Sequence, residues 1–217
     1  MTHLQPDCRI CLVVEATPAA VEHLTAATEV ADVACCLIVP AAGAAIEAAA
    51  ARPLVAAAQQ AGVAALIAEA TELVRTLRAD GVHLNPTRQL LDAHAAARNT
   101  LGREAIVGTD VGVSRHDAMS LAEAGADYIA FGAPSHLKDR PRARERRDDL
   151  VSWWGEIFEV PCMVLDVDGP TEAERLARAG ANFVAVTMLG GSAAATRALV
   201  AEIGAAIASK AAAGLRD

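Results

Sequence analysis

Aromatic side chains are scarce in this 217-residue sequence, at 3%, although 53% of its residues are hydrophobic. A core with so few large rings must be built mainly from Ala, Val, Leu and Ile. Small side chains of this kind suit helices packed closely against a parallel sheet, which is buried on both faces. The composition therefore favours an α/β protein, and the length allows one large domain, which we place over residues 1–217.

Positive charge is also in deficit, because 27 acidic residues stand against 19 Lys and Arg and the formal net charge is −8. Nucleic acid and anionic membranes attract basic proteins, so neither is expected as a partner. The sequence contains no apolar run of the ~18–20 residues that span a bilayer. Its first ten residues, MTHLQPDCRI, lack the basic and then apolar pattern of a signal peptide. We expect a cytoplasmic protein, and the oligomeric state stays open, with a homo-oligomer as one alternative.

Cysteine occurs at an odd number of positions, five, within or beside apolar runs. That placement indicates buried reduced thiols and not a disulfide framework. Cys8 and Cys11 have the C-x-x-C spacing of some redox and metal sites. A redox pair of this type normally opens a helix, whereas this pair brackets the start of a predicted strand, and zinc would need a second ligand pair.

One short pattern recurs along the chain: a helix end, small residues, an Asp or Asn, and then an apolar strand. It reads LRADGVHL at Leu77–Leu84, LAEAGADYIAF at Leu121–Phe131 and AGANFVAV at Ala179–Val186. Apolar runs of strand length followed by helical patterns occur eight times. The predicted strands are Arg9–Ala16, Val33–Val39, Ala64–Glu69, Gly81–Asn85, Ala105–Val111, Tyr128–Ala133, Pro161–Val167 and Phe183–Leu189.

Each predicted strand is followed by a predicted helix, and Pro53 should break or kink the second of these. Strands that are continuously apolar need cover on both faces, which eight helices and closure into a barrel supply. A doubly wound open sheet is the alternative, but no G-x-G-x-x-G follows the first strand. We therefore predict a (β/α)₈ TIM barrel. The predicted helices begin at Thr17–Pro18 and then cover Gly43–Gln60, Thr71–Leu77, Thr87–Leu101, His116–Ala124, Asp148–Glu159, Thr171–Ala179 and Ser192–Ala208.

Two turns have the chemistry of a phosphate site. Gly190, Gly191 and Ser192 precede the last predicted helix, and Gly169 precedes the helix before it. Backbone N–H groups at a helix start lack partners within the helix and attract anions. Loops after strands seven and eight commonly bind phosphate in such barrels. Ordinary glycine turns with N-caps remain the alternative interpretation.

A strongly basic segment follows the sixth strand, since residues 138–147 contain six basic and two acidic residues. We interpret it as a loop at the barrel mouth in which Arg140 and Arg142 gather phosphorylated substrates, with the segment acting as a mobile lid. A solvated surface loop is the alternative.

Four sequence blocks carry a family resemblance: DGVHL at Asp80–Leu84, IVG at Ile106–Gly108, AGADYIAFGAP at Ala124–Pro134 and AGANFVAV at Ala179–Val186. In type and spacing they resemble the thiamine phosphate synthase family. The resemblance implies a (β/α)₈ barrel that joins an aminopyrimidine diphosphate to a thiazole phosphate, releases diphosphate and uses Mg²⁺. A related branch, the thiazole tautomerases, shares the barrel and the thiazole phosphate site.

The sequence departs from that family pattern at several strand ends. Leu37–Ala41 contains no charge where the family has a segment that grips the diphosphate. Of the family's Asn-Asp pair only an acid remains, Glu69, which the resemblance makes the metal ligand. Arg88 stands near the family's metal-binding acid and would instead bind phosphate. Asp166–Gly169 replaces a Gly-Gly-Ile turn.

The resemblance also nominates catalytic residues. Lys138 is the counterpart of the lysine in the family's Thr-x-Thr-Lys loop, here reduced to Ser135–Lys138. His116 ends a Gly112–His116 segment similar to the family's Gly-x-Ser-x-His, and alignment through Gly108 places Asp110 near the serine position. We expect a barrel that binds a phosphorylated small molecule, with weak or altered coupling. A tautomerase-like enzyme and a non-catalytic binding barrel are the alternatives.

Overall fold

A computed structural model describes residues 8–42, 44–133 and 138–213 of the chain. Strands and helices alternate throughout these ranges. The strands are β1 Arg9–Glu15, β2 Val33–Val39, β3 Ala64–Ala68, β4 Gly81–Leu84, β5 Ile106–Asp110, β6 Tyr128–Phe131, β7 Cys162–Val164 and β8 Phe183–Met188. The helices are α1 Ala20–Thr28, α2 Ala48–Gln60, α3 Thr71–Leu77, α4 Leu90–Leu101, α5 Arg115–Glu123, α6 Arg140–Ile157, α7 Pro170–Arg178 and α8 Ala193–Ala213.

The eight strands form a closed barrel in sequence order, and β1 also pairs with β8. Every strand pair is parallel. The predicted TIM barrel is therefore confirmed, and the open-sheet alternative is wrong. Among the described residues, no helix combines the length and the hydrophobicity that crossing a membrane requires.

Side chains alternate between the inside of the barrel and the helix layer, as the two-residue period of a strand requires. Cys11 packs inside the barrel with residues of β2 and β3, whereas Cys8 belongs to the layer between strands and helices. Because Cys11 lies three positions after Cys8, an odd number, the two thiols lie on opposite sides of the barrel wall. The C-x-x-C spacing therefore does not bring them together, and all five cysteines are buried and reduced.

The recurring Asp or Asn of the sequence pattern lies at the N-terminal end of the barrel and ties neighbouring strands together. The side chain of Asp80 accepts the N–H of Ala65 at 2.8 Å, and that of Asp127 accepts the N–H of Val107 at 2.7 Å. Asn182 accepts the N–H of Cys162 in the same way, at 2.8 Å. Each side chain precedes one strand and bonds the start of the strand before it. The repeated Asp or Asn therefore stabilises the N-terminal end of the barrel, which we call the barrel floor.

Three of the resemblance blocks meet in the barrel interior. His83 Nδ1 lies 2.7 Å from the hydroxyl of Tyr128, and both side chains are buried. Gly108 leaves the space that the tyrosine ring fills, because a Cβ there would lie 1.9 Å from that ring. Burial lowers the pKa of His83 to about 4, so its imidazole is neutral at physiological pH.

The basic segment is not a loop, and this prediction was wrong. Helix α6 begins at Arg140, eight residues before the predicted start, so Arg140, Arg142 and their basic neighbours form its first turns. Asp139 caps the helix by accepting the N–H of Arg142 at 3.1 Å, and Pro141 occupies the first turn. An Asp N-cap and a Pro in the first turn are ordinary signals of a helix start, and Arg is a good helix former. The start of α6 could therefore have been predicted from the sequence despite the run of charges.

Helix α2 runs through Pro53 without a break, so the first of the two effects predicted for this proline does not occur. The proline lies on the exposed face of the helix, while its neighbours Leu54 and Val55 are buried. Because proline has no N–H, one backbone carbonyl on the solvent side of the helix lacks its helical hydrogen bond, and water can bond to it instead. Packing of the opposite face thus maintains the helix.

Candidate functional site

Polar side chains enter the barrel at the C-terminal ends of its strands. Strand alternation turns Glu15 of β1, Asp110 of β5 and Thr187 of β8 towards the barrel axis at this end. The layers beneath are apolar, apart from the His83–Tyr128 pair. The acidic side chains on the barrel axis therefore lie at the mouth.

Asp110 is the most perturbed acid of this mouth. Its residue is only 9% exposed, and its Oδ1 accepts the N–H of Gly112 at 2.7 Å. Burial raises the pKa of the carboxyl to about 7, the Gly112 hydrogen bond opposes the shift, and the charge of Asp166 adds to it. A carboxyl that titrates near neutral pH can both accept and donate a proton.

Asp166 lies in the turn after β7, which the sequence singled out as a strand-end segment that departs from the family pattern, but the prediction gave this residue no role. It adopts a left-handed backbone conformation, with φ of 58°, and its Oδ2 accepts the N–H of Ala133 at 3.0 Å. That bond joins the turn after β7 to the end of β6. No local sequence signal marks this role, because the contact spans 33 residues.

A cavity of about 210 Å³ opens between the ends of β7 and β8. Side chains of β8 and α8 form its apolar floor. Two predicted phosphate-binding residues, Arg140 and Gly169, lie together in its polar wall, although they are 29 residues apart in the sequence. The full polar wall consists of Arg140, Asp166, Asp168, Gly169 and Thr187.

The turn before α8 follows the cavity-lining Thr187 closely in the sequence, but none of its residues lines the cavity. Gly190 and Gly191 have φ values of 91° and 89°, and both are exposed, as is Ser192. The Ser192 hydroxyl accepts the N–H of Ala195 at 3.2 Å and so caps α8. Its side chain already has this structural partner.

Arg88 and His116 form a second, separate group. Both are exposed and line a groove of about 310 Å³ between the turn after β4 and α5. This groove shares no lining residue with the cavity between β7 and β8. The predicted phosphate-binding Arg88 thus lies with the predicted catalytic His116, away from Arg140 and Gly169.

The remaining predicted residues are dispersed. Lys138 is exposed just before α6, and Arg142 is exposed in the first turn of that helix. Residues 135–137 of the predicted Ser135–Lys138 loop lie outside the described residues. The structure does not bring Lys138 and Arg142 to the cavity wall.

Glu69 is exposed at the end of β3 in a left-handed conformation, with φ of 61°. Its Oε1 accepts the N–H of Asn85, and its own N–H donates to the carbonyl of His83 at 2.9 Å. Mg²⁺ requires near-octahedral oxygen coordination. Across residues 8–42, 44–133 and 138–213, no group of three His, Cys, Asp or Glu side chains could hold a metal. The described side chains therefore do not fit a protein-held Mg²⁺ site at Glu69.

Comparison with known proteins decides the family. A family model described as thiamine monophosphate synthase matches residues 12–189, most of the barrel. The chain belongs to the thiamine monophosphate synthase family. The family resemblance read from the sequence blocks is thereby confirmed.

Named relatives agree with this family assignment. The chain is 41% identical to the thiamine-phosphate synthase of Erythrobacter litoralis over 139 residues, which cover 63% of this chain and 64% of that protein. It thus spans just under two thirds of that relative. It is 34% identical to the thiamine-phosphate synthase of Rhodospirillum centenum over 192 residues, covering 83% and 87%.

A solved structure shows the same fold. Thiamine phosphate pyrophosphorylase from Pyrococcus furiosus superposes with a TM-score of 0.68, covering 92% of this chain and 96% of that one. At 16% sequence identity this likeness concerns the fold alone.

Within its thiamine monophosphate synthase barrel, this chain has an uncharged segment at the mouth. The end of β2 carries no charge, since Val39, Pro40 and Ala41 follow the buried Leu37. Charged groups lie at the ends of β5 and β7 and at the start of α6, where Asp110, Asp166 and Arg140 lie. A charged ligand would therefore find no charged side chain at the end of β2, but would find charged side chains at the ends of β5 and β7.

Proposed function

We propose that this thiamine phosphate synthase-like barrel binds a phosphorylated small molecule of the thiazole phosphate or aminopyrimidine diphosphate class, and that its coupling activity is weak or altered. The observation that carries the proposal is the shared cavity of Arg140 and Gly169. Gly169 is the N-cap of helix α7, so the positive end of that helix and the Arg140 side chain both adjoin one small space.

Two acids in the same wall restrict the ligand's charge. Asp168 is neutralised by Arg144, which donates from Nη2 to its Oδ1 at 2.6 Å, and this pairing lowers the pKa of Asp168. Asp166 has no such ion pair among the described residues. The single guanidinium of Arg140 would therefore have to offset both a phosphate and a carboxylate, which favours one phosphate over a diphosphate.

Weak coupling follows from the uncharged wall at β2. Departing diphosphate carries several negative charges, and its release is fast only where cations are already in place. Leu37–Ala41 supplies none, and Arg88 lies in the separate groove with His116. Loss of one preorganised donor typically costs about 10²–10³ in rate.

Calorimetric titration with thiazole phosphate tests the binding proposal. We expect binding to the wild-type protein and at least tenfold weaker binding to Arg140→Met, because the substitution keeps a long side chain and removes the charge. Arg146→Met on the exposed face of the same helix is the matched control and should bind like wild type. Equal affinity of all three proteins would contradict the assigned site.

A diphosphate-release assay with both substrates tests the coupling proposal. We expect turnover far below about 1 s⁻¹, the lower range of ordinary enzymes. Turnover at or above that value would show that this barrel neutralises diphosphate by another set of cations, with Arg88 and Arg142 the first to reverse in charge.

Asp110 favours a second candidate function, a thiazole tautomerase-like proton transfer. A buried carboxyl with a pKa of about 7 at the mouth suits moving a proton within a bound heterocycle. Conversion of a thiazole phosphate tautomer without diphosphate release, lost in Asp110→Asn, would support it. Binding with neither reaction would leave the non-catalytic ligand-binding barrel.

A further inference from the structure

Arg147 is the most unusual member of the basic run in α6, because it is 0% exposed. Its guanidinium bonds in two directions. Nε and Nη2 donate to Asp148 Oδ1 at 3.0 and 2.8 Å, and Nη2 donates to Glu172 Oε1 at 2.5 Å. Nη1 donates to the carbonyls of Leu165 and Asp166 at 2.9 and 3.0 Å.

Glu172 extends the same network into the turn after β7. While Oε1 accepts from Arg147, Oε2 accepts the N–H of Asp168 at 2.6 Å. The side chain belongs to the first turn of α7. Arg147 and Glu172 together therefore fix backbone groups at three of the turn's positions, Leu165, Asp166 and Asp168, immediately before Gly169.

The turn held in this way contains a strained residue. Asp166 has a φ of 58°, a left-handed conformation that is unfavourable for a non-glycine residue and persists only where its surroundings enforce it. In that conformation its carboxylate reaches the N–H of Ala133 and lies near enough to Asp110 to act on its charge. Loss of the hydrogen bond from Arg147 to the Asp166 carbonyl would remove a contact that holds Asp166 in this left-handed conformation.

We propose that Arg147 is a positioning residue that sets the shape of the turn after β7, and thereby the placement of Asp166 and of the Gly169 backbone at the barrel mouth. It is not among the residues that line the cavity between β7 and β8. The part of this inference that concerns ligand affinity rests on the proposed phosphate-binding function, whereas the placement of Asp166 does not.

Stability alone is a poor explanation for this buried guanidinium. Desolvation offsets much of what a buried ion pair gains, and apolar replacements of similar size are often neutral or stabilising. Two donations to consecutive carbonyls, however, specify one backbone geometry. A planar guanidinium can make both while pairing two carboxylates, and a lysine ammonium cannot reproduce that planar pattern.

The test compares Arg147→Met and Arg147→Lys with the exposed control Arg146→Met. Carboxyl ¹³C NMR follows the titration of Asp110, and hydrogen exchange follows the amides of residues 166–169. In Arg147→Met we expect the Asp110 pKa to fall by at least half a unit towards its value in Asp166→Asn, with faster exchange in the turn. Arg147→Lys should recover thermal stability but not the wild-type titration, and Arg146→Met should match wild type.

An unchanged Asp110 titration and unchanged exchange in Arg147→Met, with only a lower melting temperature, would overturn the proposal. If Arg147→Met does not fold, Glu172→Gln decides by the same two readouts, since it weakens the link to Asp168 while preserving size. Thiazole phosphate affinity is measured in parallel and should fall at least fivefold in Arg147→Met. Failure of wild type to bind that probe would count against the proposed function alone, because the titration needs no ligand.

Discussion

At both ends of the barrel, Asp or Asn side chains accept backbone N–H groups, but the two ends differ in what these contacts do for stability. At the N-terminal end, Asp80, Asp127 and Asn182 each accept a backbone N–H and join neighbouring strands. At the mouth, Asp110 is buried with a raised pKa, and Asp166 is held in a left-handed conformation. The first set repeats along the sequence and stabilises the fold, whereas the second set occurs once and carries an energetic cost.

This difference shows how to separate architecture from function within one barrel. Removing a floor side chain should lower stability and leave ligand binding unchanged. Altering a mouth carboxyl should change binding or proton transfer while leaving stability equal or greater, as expected where a site retains strain or a buried charge.

The largest expected effect concerns the pH dependence of stability through Asp110. The pKa of this carboxyl is about 7 in the folded chain, against an ordinary value of 3.8. The folded state therefore binds the proton more tightly, so the contribution to stability is complete below about pH 4 and is lost as the pH rises through 7. At about 1.4 kcal/mol per pKa unit, the loss is up to about 4 kcal/mol.

Urea unfolding of wild type and Asp110→Asn between pH 4.5 and 8 measures this effect. The stability of the variant relative to wild type should grow with pH across that window, since Asn carries no charge to bury. A constant difference between the two proteins would mean that Asp110 titrates normally.

A smaller effect is expected at the floor. Asn182→Ala deprives the N–H of Cys162 of its side-chain acceptor, and an unsatisfied buried donor costs about 1–3 kcal/mol. Chemical denaturation should show that loss at every pH between 5 and 8, with thiazole phosphate affinity unchanged. Altered affinity in a well-folded Asn182→Ala protein would contradict the separation of the two ends.

The smallest effect is expected for an exposed floor pair. Asp32 accepts both Nε and Nη2 of Arg9, but the two side chains are 70% and 42% exposed. Asp32→Asn should therefore cost less than about 1 kcal/mol, and added salt should reduce the difference further. A loss as large as that of Asn182→Ala would show that exposure does not distinguish these floor contacts.

The sequence predicted the barrel well because its strands are continuous apolar runs bounded by Gly, Asp and Asn. Val33–Val39 has the predicted bounds, and most other strand ends differ by one or two residues. Gly169, which lines the cavity, and the buried acid Asp110 could also be singled out, since both lie at strand ends where such barrels place their chemistry.

The grouping of site residues could not be predicted in the same way. Arg140 meets Gly169, and Arg88 meets His116, through packing of elements distant in the chain. The run of charges gives no indication that Arg147 is buried. Its buried guanidinium is stabilised by the acids Asp148 and Glu172 and by two carbonyls after β7, and the sequence does not show that these groups meet. Local patterns specify elements, while such contacts depend on tertiary structure.

Tyr128 has a consequence for spectroscopy, since it is the chain's one tyrosine. Burial raises the pKa of its phenol well above the ordinary value, so deprotonation requires the barrel interior to admit water. The ultraviolet absorbance of tyrosinate in alkaline solution should therefore appear together with loss of the fold. Both tryptophans lie on α6, at Trp153 and Trp154, so indole fluorescence monitors the outer helix layer separately. The chain thus contains two optical reporters, one inside the barrel and one outside it.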